Sequence, residues 1–172
     1  MVRRIVNGDE QAFDDLVRKY YQNIYRYCYR RLRDENIAAD FTQEIFLKVV
    51  RTIYKFKLTG KFSNFLFTIA LNTCNDYFRK NKISVDYNLN TLTDSSPQPL
   101  DQIIQNEETQ VLHFRLNALL DTQREALTLY YYHGMKAKDI AKITGVPLAT
   151  AKSRIKQGLD KLKKAYGEDD NE

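Results

Sequence analysis

Lys138-Asp139-Ile140-Ala141-Lys142-Ile143-Thr144-Gly145-Val146-Pro147-Leu148-Ala149-Thr150-Ala151-Lys152-Ser153-Arg154-Ile155 decides how this chain of 172 residues is read. Ile140 and Ala141 fall on a short helix, and the small side chain of Ala141 permits close approach by a second one. Gly145 follows four residues later, where a sharp turn wants positive φ. Val146 anchors that turn, and Pro147 suits the start of the next helix. Ala151 and Ile155, four apart, face inward. The pattern is that of a helix-turn-helix. The outward positions of its second helix, Thr150, Lys152, Ser153, Lys156 and Gln157, are hydrogen-bonding or cationic. Such a helix fits a major groove, with the lysines reaching phosphate or guanine and Gln157 able to pair with adenine. The same pattern also describes a plain helical hairpin with a solvated basic face.

Upstream of this stretch, Val111, Phe114, Leu116, Leu119 and Leu120, then Ala126, Leu127, Leu129 and Tyr130, continue a helical apolar pattern. Before them periodicity stops. Residues 83–106 carry Pro97, Pro99 and several Asn, Asp and Ser, with no Lys or Arg, and two prolines among polar neighbours break any continuous helix. A flexible acidic linker is expected there. As a random coil of about 24 residues it would average roughly 25–30 Å end to end. Residues 167–172 read as an acidic tail.

The N-terminal block, residues 1–82, reads as helices. Phe13, Leu16, Val17, Tyr20, Ile24, Tyr27 and Cys28 keep the three-four spacing of one helical face, with Asn7-Gly8-Asp9 as a turn and cap before it. Ile37, Phe41, Ile45, Val49, Val50 and Ile53 make a second face, and Phe62, Phe65, Leu66, Ile69, Thr73 and Tyr77 a third. Short joints between three long amphipathic helices predict an antiparallel bundle. The fold class expected is therefore all-α: an N-terminal antiparallel helical bundle (1–82), an acidic linker (83–106), and a C-terminal helical domain with a helix-turn-helix (107–166).

Charge follows the same division. The net charge of +5 resolves into +7 over residues 1–82, −5 over residues 83–112 and +3 over residues 113–172. The cations draw attention to two surfaces. Tyr54, Lys55, Phe56, Lys57, Lys61, Phe62, Ser63 and Asn64 mix rings with cations, as unpaired bases require for stacking and backbone neutralisation. Asn72, Asp76, Arg79 and Lys80 form a polar stripe on the helix that follows. A third surface, Asp40, Gln43, Glu44 and Lys48, shares a helical face opposite Ile45 and Val49. It suits a protein partner with exposed Arg or Lys better than it suits DNA.

Other functions are excluded by what the chain lacks. No apolar run is long enough for a membrane span, and the charged first ten residues have no signal-peptide core. A cytoplasmic location is expected. Cys28 and Cys74 are the only cysteines, too few for a disulfide framework. With His113 and His133 they show no metal-ligand spacing. No phosphate-cradling glycine loop or nucleophile–base pattern appears, so no catalytic residue, cofactor, metal or small-molecule substrate is expected.

Three stretches match one family in order. Asp9-Glu10-Gln11-Ala12-Phe13, Ala39-Asp40-Phe41-Thr42-Gln43-Glu44-Ile45-Phe46 and Phe62-Ser63-Asn64-Phe65-Leu66-Phe67-Thr68-Ile69-Ala70-Leu71-Asn72 resemble the promoter-melting domain of bacterial RNA polymerase sigma factors of the extracytoplasmic-function type. Gln123-Arg124-Glu125-Ala126-Leu127 and Thr150-Ala151-Lys152-Ser153-Arg154-Ile155 resemble the C-terminal domain of the same family. The resemblance implies roles by position. Asp40, Gln43 and Glu44, with Lys48, would dock on the clamp helices of the polymerase largest subunit, and the polymerase flap would be a further point of contact. Tyr54 to Asn64 would capture a flipped base of the −10 element, with Asn72, Asp76, Arg79 and Lys80 along the adjoining DNA. Thr150, Lys152, Ser153, Arg154, Lys156 and Gln157 would meet the −35 element. The resemblance also implies an anti-sigma partner, and nucleoid association while the chain is bound to polymerase. Two departures are visible: Phe65 and Val50 stand where tryptophan is usual, and Ala149-Thr150-Ala151 replaces the usual Gly-Thr-Val.

The linker supplies an independent reason for a scaffold. Promoter elements one to two turns apart are separated by roughly 35–70 Å of duplex, a distance that a floppy tether cannot set. The rival expectation is a stand-alone helix-turn-helix regulator that dimerises on a palindromic site without polymerase.

Overall fold

The computed structural model describes residues 1–56, 60–87 and 119–167. Every regular element among them is helical. The chain divides into two compact bodies, Met1–Leu92 and Thr93–Glu172, and the division falls inside the segment expected as a linker.

In the N-terminal body a five-residue helix, α1 (Val2–Val6), precedes three long ones: α2 (Glu10–Leu32), α3 (Glu35–Thr52) and α4 (Phe62–Tyr87). Each start has a chemical cause. The Asp9 carboxylate accepts from the Ala12 backbone N–H at 2.9 Å, and that of Asp34 from the Ile37 N–H at 2.8 Å, filling donors a helix leaves orphaned at its N-terminus. Between α2 and α3 the chain reverses through Arg33, which adopts φ 60° and closes α2 with a bond from its N–H to the Tyr29 carbonyl. A 3-10 turn, Ile53–Lys55, ends α3.

The three long helices pack mutually. Leu16, Ile24 and Tyr27 from α2, Ile45 and Val49 from α3, and Leu66 and Ala70 from α4 are completely shielded from solvent. Burial of each large aliphatic side chain contributes about 1.5–3 kcal/mol. Thr42 is buried among them because its hydroxyl donates to the Ala38 carbonyl at 2.7 Å, so no donor is left unpaired. Cys28 and Cys74 are thiols without a disulfide, buried in helix interiors. The hydrogen bond with Cys74 holds the Cys28 thiol below its usual value, against the opposing effect of burial.

Two expectations change in this body. Val50, placed by periodicity on the inward face of α3, is 45% exposed, because the next turn of the core is filled by Ile53. Helix α4 runs past residue 83, the expected start of the linker, as far as Tyr87. Ile83 to Tyr87 contain no proline or glycine, so nothing in them stops a helix before Pro97. Residues 88–106, the rest of the expected linker, lie outside the described residues, as does the tail 168–172.

The C-terminal body contains α5 (Asp121–Leu127), a π-helical segment Thr128–Tyr132, α6 (Ala137–Thr144) and α7 (Leu148–Gly167). Leu119, Ala126, Leu127, Leu129, Ile140, Ile143, Ala151 and Ile155 form its core. Leu120 and Tyr130, read as inward from the sequence, are exposed. Leu120 is the residue just before α5, and the wider π turn carries Tyr130 off the buried face. Val111, Phe114 and Leu116 lie outside the described residues.

Candidate nucleic-acid interface

The first surface grows from the end of α3. Ile53 is buried and pins the 3-10 turn, which leaves the next side chain, Tyr54, 66% exposed. The Lys55 ammonium lies 5.6 Å from the Tyr54 ring centroid, a cation–aromatic pair at the surface. Phe56 behaves differently. Its ring meets Phe62 at 5.6 Å and Phe65 at 5.5 Å, Phe62 and Phe65 lie 6.0 Å apart, and Tyr20 closes on Phe62 at 5.5 Å. This half-buried cluster joins α2 to both ends of the 54–64 connection. Of the rings proposed to stack on bases, Tyr54 is presented to solvent and Phe56 is committed to packing.

Lys61 is exposed, while Ser63 and Asn64 are half-buried on the first turn of α4. The Lys61 carbonyl accepts from the Asn64 N–H at 3.1 Å and so caps that turn. Lys57 lies outside the described residues. Along α4, Asn72, Arg79 and Lys80 are exposed and Asp76 is half-buried. Arg79 is tied to Asp76 at 2.9 Å, one turn apart, which moderates its charge. A cation the sequence did not single out stands nearby: Arg31 of α2 donates to Asn75 Oδ1 at 2.8 Å and lies 5.2 Å from the Phe78 ring. Asn75 lies 44 residues away along the chain, so this contact leaves no local signal in the sequence.

The second surface is the outer face of α3. Asp40, Gln43 and Glu44 are exposed together. Lys48 bends back, pairing with Glu44 at 2.7 Å and donating to Thr73 Oγ1 of α4 at 3.0 Å. The same face continues into Leu47, 57% exposed, and Val50. An exposed leucine and valine in line with carboxylates make an amphipathic strip, apolar at one end and anionic at the other. Sequence reasoning missed Leu47, although its spacing from Gln43 and Glu44 puts it on their side of the helix.

The third surface is α7. Gly145 takes φ 68°, and the Val146 N–H donates to the Ala141 carbonyl at 3.0 Å, so the turn between α6 and α7 has the expected form. Ala151 and Ile155 pack inward while Lys152, Ser153 and Lys156 project outward. Thr150 and Arg154 are half-buried at the margins. Gln157 is exposed but engaged: buried Gln123 donates to its Oε1 at 3.1 Å, and its own Nε2 donates to Ser153 Oγ at 3.0 Å. A base contact by Gln157 must therefore exchange with this chain of bonds. Gly158 explains how α7 lies so close to α5. A Cβ there would sit 2.8 Å from Leu127 Cδ1.

Among the described residues, no group of three His, Cys, Asp or Glu side chains is arranged to hold a metal ion, and no helix is long and apolar enough to cross a membrane. A helix-turn-helix with a cationic outer face, and a second helical body with a cation–aromatic connection, place the chain among helical DNA-binding proteins. Residues 16–83 match the family described as sigma-70 region 2, and residues 109–162 match sigma-70 region 4. The ECF RNA polymerase sigma factor SigW of Bacillus subtilis is 30% identical over 95% of this chain and 93% of its own length. The backbone is similar to sigma factor RpoE of Bartonella quintana, in complex with the anti-sigma factor NepR, at TM-score 0.77 and 22% identity over 91% of this chain and 98% of that one. It is also similar to CnrH in complex with the cytosolic domain of CnrY, at TM-score 0.75 and 20% identity over 98% and 96%. The chain belongs to the extracytoplasmic-function sigma factors of the sigma-70 family. Its function is that of the family: it binds core RNA polymerase, recognises promoter DNA and initiates transcription.

Proposed function

We propose that the chain is a non-enzymatic specificity subunit whose three surfaces divide the work. The outer face of α3, with Asp40, Gln43, Glu44 and the adjoining Leu47 and Val50, docks on the polymerase largest subunit, and Lys48 fixes Glu44 from behind. The connection from Tyr54 to Asn64 holds an unpaired base of the −10 element, and Asn72, Asp76, Arg79 and Lys80 follow the neighbouring DNA. The outer side of α7, Thr150, Lys152, Ser153, Arg154, Lys156 and Gln157, meets the −35 element. Strand opening requires no hydrolysis by this chain, because stacking of captured bases offsets an unstacking cost of a few kcal/mol. The protein works in the cytoplasm, where polymerase is. A protein inhibitor of the anti-sigma kind is its further partner, by analogy with the RpoE complex.

One observation supports the melting role: the Tyr54 ring, with Lys55 over it, is exposed to solvent two residues before Phe56, which is packed against Phe62 and Phe65. The test is transcription from purified core polymerase. Tyr54→Ala is expected to lose roughly tenfold or more on a duplex promoter, within the range of one base–aromatic stack, and to recover on a template whose −10 region is already open. Equal loss on both templates would refute the melting role of this ring.

A further inference from the structure

The buried amide of Gln123 on α5 has no part in the surfaces assigned so far. It is 4% exposed, and it reaches α7 because Gly158 brings the two helices together: a Cβ at that glycine would lie 3.6 Å from Gln123 Cβ. Gln123 Nε2 donates to Gln157 Oε1 at 3.1 Å, and Gln157 Nε2 donates in turn to Ser153 Oγ at 3.0 Å. Gln123 Oε1 is buried and meets no hydrogen-bond partner.

That orphaned oxygen fixes the direction of the whole chain of bonds. An amide in such a place leaves either its oxygen or its NH2 unpaired, and the NH2 carries two donors. Buried oxygens are left unpaired somewhat more readily than buried N–H groups. Gln123 therefore turns its nitrogen to Gln157. Gln157 receives it with its oxygen turned inward, so its own nitrogen faces the exposed side of α7. What this amide offers outward is a donor.

The direction matters for the base that is read. Glutamine pairs with adenine through both ends of its amide, Oε1 accepting from N6 and Nε2 donating to N7. Here that contact would break the bond to Gln123 and leave a buried donor unpaired. Guanine presents only acceptors, O6 and N7, on the same edge. Donating to them exchanges the exposed bond to Ser153 and leaves Gln123 in place. Lys152 and Lys156, which project from the same side of α7, are donors only.

We infer that Gln123 is a positioning residue for promoter recognition: it holds Gln157 with its donor outward, so that α7 favours guanine over adenine at the base pair Gln157 meets. The inference deepens, and rests on, the proposal that the outer side of α7 meets the −35 element. It reverses the adenine pairing expected from the residue type of Gln157 alone.

The test uses the full chain bound to core polymerase and a duplex library randomised across both promoter elements, read by the sequences the complex retains. In the wild type, one position of the −35 element should favour guanine over adenine by roughly three- to tenfold, the scale of one net hydrogen bond. Gln157→Ala identifies that position by flattening it. Gln123→Met keeps a side chain of similar size that cannot donate. It should flatten the same position, while polymerase binding and the other −35 positions stay as in the wild type. The double variant should flatten it no further. Gln123→Glu, at about pH 8 where an ordinary glutamate is ionised, accepts but does not donate. Gln157 should then turn round, and the preference should move from guanine towards adenine. This is the decisive variant if Gln123→Met loses its native helical melting profile. A wild-type preference for adenine at the Gln157-dependent position would overturn the inference. So would a folded Gln123→Met with equal losses at every position, which would make Gln123 structural only. If Gln157→Ala changes no position, the base contact on α7 fails and the inference with it. If Gln157→Ala flattens a position that neither Gln123 variant alters, the contact stands and only the positioning role falls.

Discussion

The two surfaces proposed to meet DNA are built in opposite ways. On α7, one side of the helix packs through Ala151, Ile155 and Gly158, and the other side carries Lys152 and Lys156 into solvent. The packed residues and the two lysines proposed to reach phosphate are distinct there, and of the proposed contacts Gln157 is the one bonded to buried Gln123 of α5. At the connection after α3, Phe56, Phe62, Phe65 and Tyr20 form one aromatic cluster that ties the connection to α2 and α4, two residues along the chain from exposed Tyr54. There the residues proposed for recognition include the packed rings themselves. A surface that reads duplex can be a decorated helix, because the groove is already formed. A surface that holds an extruded base needs a rigid concavity, and rigidity comes from packed rings.

This contrast is broken most directly at Phe56. Phe56→Ala removes two ring contacts from a half-buried site, and the N-terminal body is expected to lose about 2 kcal/mol, below the 3–5 kcal/mol of a fully buried phenylalanine. Urea unfolding followed by circular dichroism measures the loss, and forked-DNA binding should fall with it. Phe56→Leu should restore much of the stability. A stable Phe56→Ala that had lost only DNA binding would show that the cluster is recognition surface alone.

On α7 the expectation is reversed. Lys152→Ala with Lys156→Ala should leave unfolding within about 0.5 kcal/mol of the wild type, as for exposed substitutions generally. Two lost phosphate contacts should reduce the slope of log affinity against log salt by about two for the −35 duplex. An unchanged slope would mean that this face does not touch phosphate. A large loss of stability would mean that α7 is no more divisible than the aromatic cluster.

The same contrast decides what was legible in the chain. Asp9 as a cap, Gly145 as the turn residue and Ala151 with Ile155 as the buried pair follow from local rules, because each depends on neighbours within four or five residues. The long helices are legible for the same reason. Arg33 at φ 60° carries no such signal, since glycine or asparagine is the usual residue there. Val50, Leu120 and Tyr130 mislead because apolar identity implies burial, and the structure exposes all three. Of the candidate sites, the outward lysines of α7 were readable from periodicity. That Tyr54 is exposed while Phe56 is packed was not, because it depends on which ring meets Phe62 and Phe65 across the connection. The Gln123–Gln157 bond, which ties a proposed base contact to α5, spans 34 residues and has no local trace.

The smallest expected effect tests whether α1 shares the rigidity of the cluster it adjoins. The Ala12 N–H, and after it the Arg4 guanidinium, hold the Asp9 carboxyl below its usual value of 3.8. A carboxyl whose folded value is depressed contributes stability in full above its unfolded value, and loses it as pH falls through the folded one. The joint between α1 and α2 should therefore be insensitive to pH from neutrality down to about 4 and should loosen below that. Amide hydrogen exchange at Gly8, Asp9 and Ala12 reads the joint directly. Asp9→Asn keeps an oxygen able to cap the helix but cannot ionise or pair with Arg4, so it should remove the acid dependence while retaining most of the protection at Ala12. If wild type and Asp9→Asn exchange alike at every pH, the ion pair with Arg4 does not hold α1 against α2.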